Sequence, residues 1–384
     1  MVGTLRMENC FLGLLRAYTT ADVEGFPPSR LPLLLVRVSL RFGLIGTGGG
    51  GQLFAGALAG RPRGARLVSV CSRNREKATG FGASYGVTEV HTDWRDLVRS
   101  DIDAVCVASP TGGHARMTIG AAAAGLHVLT EKPIATTVAD ADRMIEACDR
   151  AGVTLGCIYM YRFLDTALRM RESVTGGLIG LPLIAECTGL FYRDQPYYDS
   201  GAWRGRWETE GGGSLVTQTS HSLDLMIWML GDVESVAGFY STSPLHSIEV
   251  EDSTLGVLRF ANGTLATLTS TTAAVNPQPR SLTIRGTLGT VGMVDDDLVQ
   301  WDVPGGPSPE IEELMNAGPV DRGDTLTMAG YADSSLHYSQ LEDFVAAVSE
   351  GRPPLVDGWE GRRTTAVMEA LYESARRGEM VKPL

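Results

Sequence analysis

Short apolar runs alternate with helical patterns from residue 41 to about residue 151. Strands separated by helices at this spacing are typical of a doubly wound parallel sheet. The front of the chain, residues 38–160, is therefore predicted to be an α/β domain. The predicted strands cover residues 41–45, 67–71, 104–108 and 127–129, and the predicted helices cover residues 52–59, 75–81, 114–124 and 138–151.

The hydrophobic period changes after residue 160, where apolar and polar positions alternate as in β-strands. Residues 161–384 are predicted to form a second, α+β domain with few helices to cover its sheet. An uncovered apolar sheet face usually marks a partner surface, so we expect a homo-oligomer. The predicted strands are 184–191, 236–240, 253–260, 264–270 and 281–285, with a hairpin turn at 261–263, and the predicted helices are 220–230, 338–349 and 361–377.

Composition narrows the class of protein. The 384 residues carry a net charge of -12, which argues against a nucleic-acid or anionic-membrane partner. The six cysteines form no C-x-x-C pair and fall mostly in apolar runs, which indicates reduced thiols and a cytoplasmic location. Residues 1–37, proline-rich near their end, are expected to be a poorly ordered extension. No metal-binding motif is present in the sequence.

A glycine-rich turn follows the first predicted strand and precedes the first helix. In the G-x-G-x-x-G pattern, Gly46 permits the tight turn, Gly48 lets the backbone approach a pyrophosphate, and Gly51 allows close helix packing. Gly49 and Gly50 lie between the last two, where helix amides would hold phosphates. The pattern predicts a dinucleotide cofactor.

The second predicted strand ends without the acidic residue that an NAD-preferring site usually carries for the ribose 2′-hydroxyl. Ser72 and Arg73 stand there instead. A hydroxyl and a planar guanidinium suit a 2′-phosphate, so we expect NADP to be preferred, with NAD possible.

Lys132 is one of three lysines in a chain whose lysine and arginine total is 33. Unlike arginine, a lysine can be tuned by burial to exchange a proton. It follows the fourth predicted strand, at the sheet edge where ligands bind. The predicted cofactor-contacting residues at this edge are Ser109, Pro110, Thr111, His114, Glu131, Lys132 and Pro133.

Several motifs, in their order along residues 40–384, resemble the glucose-fructose oxidoreductase and inositol dehydrogenase (Gfo/Idh/MocA) family. The resemblance implies a Rossmann domain, a C-terminal domain with a large, open, mostly antiparallel sheet, and hydride exchange between a nicotinamide and a sugar, cyclitol or related polyol. The motifs are the glycine turn, Ala108-Ser109-Pro110 with His114, Glu131-Lys132-Pro133, Tyr161-Arg162-Phe163, Trp203-Arg204-Gly205, Gly211-Gly212-Gly213 leading to His221-x-x-Asp224, and the segment 339–354.

By this resemblance the catalytic histidine is His221, with Lys132 donating a hydrogen bond to the substrate oxygen. Helical spacing puts Thr217, His221 and Asp224 on one face. Many relatives carry an aspartate where this chain has Thr217. A hydroxyl there cannot raise the histidine pKa as a carboxylate would, so we expect a less basic His221 and a response of the pH profile to Thr217→Asp.

The segment 197–207 places aromatic rings beside arginines, a combination that suits a polyhydroxylated ring of a substrate. For Trp203 or Trp207 taken alone, a purely structural role in the core is equally compatible with the sequence. The predicted substrate contacts are Arg162, Tyr198, Trp203, Arg204, Gln218 and Asp224. Other functions stay open from the sequence. They are a glycosidase or lyase that retains its NAD and oxidises the sugar transiently, a dehydrogenase of a non-sugar substrate such as a dihydrodiol, and a catalytically silent cofactor-sensing protein, against which the pair of Lys132 and His221 argues.

Overall fold

The computed structural model describes residues 39–60, 62, 64–318 and 334–384, so the predicted extension 1–37 lies outside the described residues. The strands are β1 (Leu40–Ile45), β2 (Ala65–Cys71), β3 (Glu89–His91), β4 (Ala104–Val107), β5 (His127–Thr130), β6 (Leu155–Cys157), β7 (Pro182–Tyr192), β8 (Val233–Ser241), β9 (Ser253–Phe260), β10 (Leu265–Thr271), β11 (Ala273–Gly286), β12 (Thr290–Val294) and β13 (Asp297–Asp302). The helices are α1 (Gly49–Ala59), α2 (Arg75–Ser84), α3 (Trp94–Leu97), α4 (His114–Ala123), α5 (Val138–Ala151), α6 (Asp165–Thr175), α7 (Gln195–Asp199), α8 (Trp207–Glu210), α9 (Ser220–Leu230), α10 (Pro309–Asn316), α11 (Ser335–Glu350) and α12 (Gly358–Arg377).

The first sheet has six strands in the order β3-β2-β1-β4-β5-β6, and every described neighbouring pair is parallel. This is the predicted doubly wound α/β sheet, and the prediction is confirmed. The sequence pattern missed β3 and β6 because each has only three residues. The carboxyl ends of β1, β2, β4 and β5 form the edge that carries the candidate site.

The second sheet has seven strands in the order β13-β12-β11-β7-β10-β9-β8. Among its described pairs only β7 and β10 run parallel, so the sheet is mostly antiparallel as expected. The predicted hairpin between β9 and β10 is confirmed. The Phe260 amide donates to the Thr264 carbonyl at 2.9 Å, and Gly263 adopts a φ of +90° that suits glycine.

One face of the second sheet is covered by α6, α9 and α12, whose apolar residues share a buried core with the strands. The opposite face exposes large apolar side chains, because alternate residues of each strand point away from the helices. We call it the open face and define it by Ile184, Phe239, Leu255, Val257 and Leu265, which are 42%, 76%, 55%, 54% and 48% exposed.

Within the described ranges, no helix is both long and apolar enough to cross a membrane. The five cysteines there are free and buried, as expected for reduced thiols. Cys10 lies outside the described residues.

Candidate active site

The glycine turn joins β1 to α1 in the geometry that its sequence predicts. Gly46 has a φ of +106°, and a Cβ there would lie 2.3 Å from the carbonyl oxygen of Ala108. A Cβ at Gly51 would lie 2.1 Å from the Gly46 oxygen, whereas none of the described atoms lies within 4 Å of one at Gly48. The open space at Gly48, beside the amino end of α1, fits a dinucleotide phosphate.

Ser72 and Arg73 lie just beyond β2, on the same sheet edge. The Ser72 amide donates to the His91 carbonyl at 3.2 Å, which fixes the turn, and the Arg73 side chain is exposed. Arg73 is therefore accessible to an incoming cofactor, and Ser72 lies half-buried next to it.

His114 has a different role from the predicted cofactor contact. It is 1% exposed, with Nδ1 3.0 Å from the Pro133 carbonyl and Nε2 2.8 Å from the Ser109 carbonyl. Burial lowers the pKa of His114, so the ring is neutral and donates to one carbonyl at a time. Its function is to hold the segments after β4 and β5 together. Thr111 is also buried, at 9% exposure.

Lys132 follows β5 directly after Glu131. Its Nζ donates to the carbonyl oxygens of Thr217 at 2.6 Å and Val216 at 3.3 Å. These bonds use two of the three ammonium N–H groups and leave one for a substrate oxygen. Burial lowers the pKa of Lys132 to about 8, which suits a group that exchanges a proton near neutral pH.

Glu131 connects this lysine to the glycine turn and to α11. Its Oε1 lies 3.2 Å from Nε2 of His337, and a Cβ at Gly50 would also lie 3.2 Å from that oxygen. The Lys132 amide donates to Oε2 at 3.1 Å. His337 was not predicted as a site residue. It lies 206 positions after Glu131, and a single distant histidine belongs to no recognisable sequence motif.

Residues Leu215–Thr219 form a π-helical turn before α9, and this turn alters the expected spacing. The Thr217 hydroxyl donates to the Gly213 carbonyl at 2.9 Å, and no bond to His221 is found among the described residues. Thr217 is predicted to share a helix face with His221, but its hydroxyl bonds to the Gly213 carbonyl instead. The Thr217 backbone carbonyl, rather than its side chain, meets Lys132.

Glu251 is fully buried and holds the start of this π-helical turn. Its carboxylate accepts from the amides of Ser214 at 2.6 Å and Leu215 at 3.1 Å, and from the Tyr372 hydroxyl at 2.6 Å. A Cβ at Gly213 would lie 1.6 Å from the Glu251 carbonyl oxygen, so the fit requires glycine.

We expect Glu251→Gln to lower the free energy of unfolding by about 1–3 kcal/mol, because the amide NH2 would face a donor that the carboxylate now satisfies. Denaturant titration measures the change. Glu249→Gln is the matched control, since Glu249 is exposed and its ion pair with Arg206 spans 3.5 Å. Its effect should stay within about 0.5 kcal/mol, and an equal loss in both variants contradicts the assignment.

Arg162 and Asp224 are predicted as substrate contacts, but the structure pairs them inside the protein. Both side chains are 1% exposed, and they form two bonds of 2.7 Å. Glu360 accepts a third bond from Arg162, also at 2.7 Å. These groups satisfy one another in the core, so neither is free to bind substrate.

Tyr198 is also withdrawn from the predicted substrate set, because it is 5% exposed and its hydroxyl lies 2.7 Å from Thr272 Oγ1. The remaining predicted contacts are partly exposed. Arg204 lies over Trp203, 4.4 Å from its ring centroid, and Gln218 Oε1 accepts from Arg193 Nη2 at 3.0 Å.

His221 lies at the start of α9, near the Lys132 ammonium. Burial, reinforced by the nearby basic groups Lys132, Arg280 and His337, lowers the pKa of His221 well below its ordinary value. This lowered pKa has the direction that the sequence led us to expect for His221. Its causes are burial and the nearby basic groups, and the Thr217 side chain is not among them. His246 is also buried, at 8% exposure, with Nδ1 2.8 Å from Asp252 Oδ2.

The regions that contain the two sheets match two different domains of known protein families. Residues 40–159 match the oxidoreductase family with an NAD-binding Rossmann fold, and residues 167–292 match the GFO/IDH/MocA C-terminal domain. The chain belongs to the Gfo/Idh/MocA oxidoreductase family. It is therefore an oxidoreductase, as its motifs imply.

Family relatives share most of its length. The 1,5-anhydro-D-fructose reductase of Ensifer adhaerens is 34% identical over 230 residues, covering 59% of this chain and 67% of that protein. The myo-inositol 2-dehydrogenase of Thermotoga maritima is 28% identical over 89% of this chain and 98% of that protein. The solved structure of the WlbA dehydrogenase from Bordetella pertussis in complex with NADH and UDP-GlcNAcA is 31% identical, with a TM-score of 0.80, and the match covers 90% of this chain and 98% of that one.

Proposed function

We propose that this protein transfers a hydride between a nicotinamide cofactor and a secondary alcohol or ketone of a sugar, cyclitol or related polyol. The observation that carries the proposal is the contact between Lys132 and the turn that leads into the helix of His221. Nζ of Lys132 bonds to the Thr217 carbonyl, one turn before His221, at the carboxyl edge of the parallel sheet. That edge is where ligands of such sheets bind.

The bound nicotinamide would take up or deliver the hydride. The protein's own part is to move a proton at the substrate oxygen. In oxidation, neutral His221 accepts the hydroxyl proton while the third N–H of Lys132 donates a hydrogen bond to the same oxygen. In reduction the proton returns from His221 to the oxygen. Both groups are buried, which excludes water and strengthens these interactions.

The substrate class rests on the relatives, whose names include an anhydrofructose reductase, an inositol dehydrogenase and a protein bound to UDP-GlcNAcA. Trp203, Arg204 and Gln218 offer a ring face and hydrogen-bonding groups for such a molecule. The test follows absorbance at 340 nm with either cofactor and a panel of sugars, cyclitols and nucleotide sugars. Substrate consumed without net change in absorbance identifies the transient-oxidation alternative, and no turnover of any polyol contradicts the proposal.

We also propose that NADP is preferred, through Arg73 and Ser72. Arg73→Ala should lower the ratio of kcat/KM for NADP to that for NAD by about 10- to 100-fold, because a hydrogen bond to a charged phosphate contributes about 1.5–3 kcal/mol. Steady-state kinetics with both cofactors measures the ratio. Lys77→Ala on α2 is the control and should leave it unchanged. An unaltered ratio in Arg73→Ala removes this residue from the cofactor site.

The open face supports a homo-oligomer, because a contiguous exposed apolar patch usually marks a protein interface. The unmodified protein should sediment as a dimer or larger at micromolar concentration. Val257→Glu should shift it towards monomer, since burying an unpaired carboxylate is costly. Lys77→Gln, which also makes the net charge more negative by one unit, is the control for charge. A monomeric unmodified protein contradicts the proposal.

The free, buried cysteines also support a proposed location in the cytoplasm.

A further inference from the structure

The imidazole of His221 is not oriented in the usual way. A catalytic histidine is commonly held through its second ring nitrogen, by a carboxylate or a carbonyl. Here Nδ1 is buried and has no hydrogen-bond partner among the described residues. Thr217, which stands where the family resemblance leads us to expect a carboxylate, turns its hydroxyl to Gly213. Another part of the site must therefore fix the ring.

Two tyrosine rings contact His221. The Tyr159 ring meets it edge-on, with centroids 5.7 Å apart and an interplanar angle of 84°. The Tyr161 ring is closer, at 4.7 Å, and is tilted by 44°. Tyr159 is fully buried, and Tyr161 belongs to the 3-10 turn Met160–Phe163. Aromatic contacts of this kind restrict how an imidazole can rotate.

Tyr161 is in turn held by a cation. The Arg280 guanidinium lies over its ring, with Cζ 4.2 Å from the centroid, a geometry suited to a cation–π interaction. Arg280 is itself fixed by Asp296, which is 8% exposed, and by Asp295 at 3.4 Å. The contacts therefore run from the β12–β13 turn through Arg280 and Tyr161 to His221.

We propose that Tyr161 and Arg280 are positioning residues that orient His221 and keep its imidazole neutral, in place of a carboxylate partner. This inference rests on the proposed role of His221 as the proton acceptor. A carboxylate would favour the imidazolium, whereas a nearby cation disfavours it.

The charges around the ring agree with this arrangement. The groups that face His221 are the cations of Lys132 and Arg280, His337, and the hydroxyl-bearing rings of Tyr159 and Tyr161. After burial, the three basic groups are the causes that lower the pKa of His221. Removal of Arg280 should raise this pKa, reduce the neutral fraction in acid, and move the acidic limb of the oxidation profile to higher pH.

The experiment compares four variants of the full chain. Tyr161→Leu should lower kcat for alcohol oxidation by about 10- to 100-fold with KM changed less than about threefold, whereas Tyr161→Phe, which keeps the ring, should stay within about threefold of the unmodified protein. Arg280→Met should move the acidic limb of kcat/KM upward by at least about half a pH unit, whereas Arg280→Lys, which keeps the positive charge, should leave the limb close to its position in the unmodified protein.

Independent titration of the His221 ring by NMR, assigned with His221→Asn, should show the same upward movement in Arg280→Met. An unchanged limb and titration in that variant overturn the inference, as does equal activity in the two Tyr161 variants. If Arg280→Met does not fold, Arg280→Lys and the Tyr161 pair decide the outcome. Full activity in His221→Asn would instead overturn the proposed role of His221 as the base, and no turnover of any polyol by the unmodified protein would overturn the proposed function, so these failures are distinguishable.

Discussion

Lys132→Met is expected to lower kcat for hydride transfer by about 10²–10⁴, the range that a positioned acid or base typically contributes. Methionine is close to lysine in length and has no N–H to offer the substrate oxygen. Dinucleotide affinity should fall by much less than kcat, because the glycine turn that would hold the phosphates is unchanged. Stopped-flow or steady-state rates at 340 nm measure the loss, and fluorescence titration of the reduced cofactor measures binding.

The pH profile separates a catalytic lysine from a structural one. Because the pKa of Lys132 is lowered to about 8, its ammonium is present below that pH and is lost above it. Activity that needs the donated N–H should therefore decline as the pH rises through about 8, and this limb should vanish in Lys132→Met. Lys77→Met is the matched control and should retain both rate and profile. A limb near pH 8 that survives in Lys132→Met contradicts the assignment.

The second large effect is expected at His221. His221→Asn should lower kcat/KM for alcohol oxidation by about 10²–10⁴, since asparagine cannot accept a proton in this range. The unmodified protein should keep full activity well below pH 6.5, because the buried imidazole stays neutral there. The loss of activity in acid, where His221 finally becomes protonated, should be absent from the pH profile of the variant. The decline near pH 8, which belongs to Lys132, should remain.

His91→Asn is the control, because His91 lies at the end of β3 and pairs with Glu89 at 3.1 Å. It should leave rate and pH profile unchanged. If His221→Asn retains more than about a tenth of the activity, another group accepts the proton, and His221 is not the base.

The parallel sheet and the glycine turn could be predicted from the sequence because their causes are local. A short apolar run, a turn that requires positive φ at Gly46 and a helix that needs close packing at Gly51 leave a pattern in adjacent residues. The placement of Lys132 followed from the same logic, since the end of β5 fixes the edge on which it lies.

The partners of the site residues could not be predicted, because they come from distant parts of the chain. Arg162 meets Asp224 across 62 positions, and Glu131 meets His337 across 206. From sequence alone, a charged residue in a family motif is therefore easily taken for a substrate-binding residue, because the partner that neutralises it inside the protein is not visible. Helical spacing also failed at Thr217, since a π-helical turn replaces the expected α-helical register.

The bonds that hold Lys132 have a mechanical consequence. The lysine extends from the parallel sheet, whereas its two acceptors, the carbonyls of Val216 and Thr217, belong to the turn that leads into the helix beneath the second sheet. A hinge motion that separated the sheets would pull the ammonium from both carbonyls at once. The position of the ammonium therefore depends on the distance between the end of β5 and the turn before α9, and a change of a few ångströms in that distance would break both bonds.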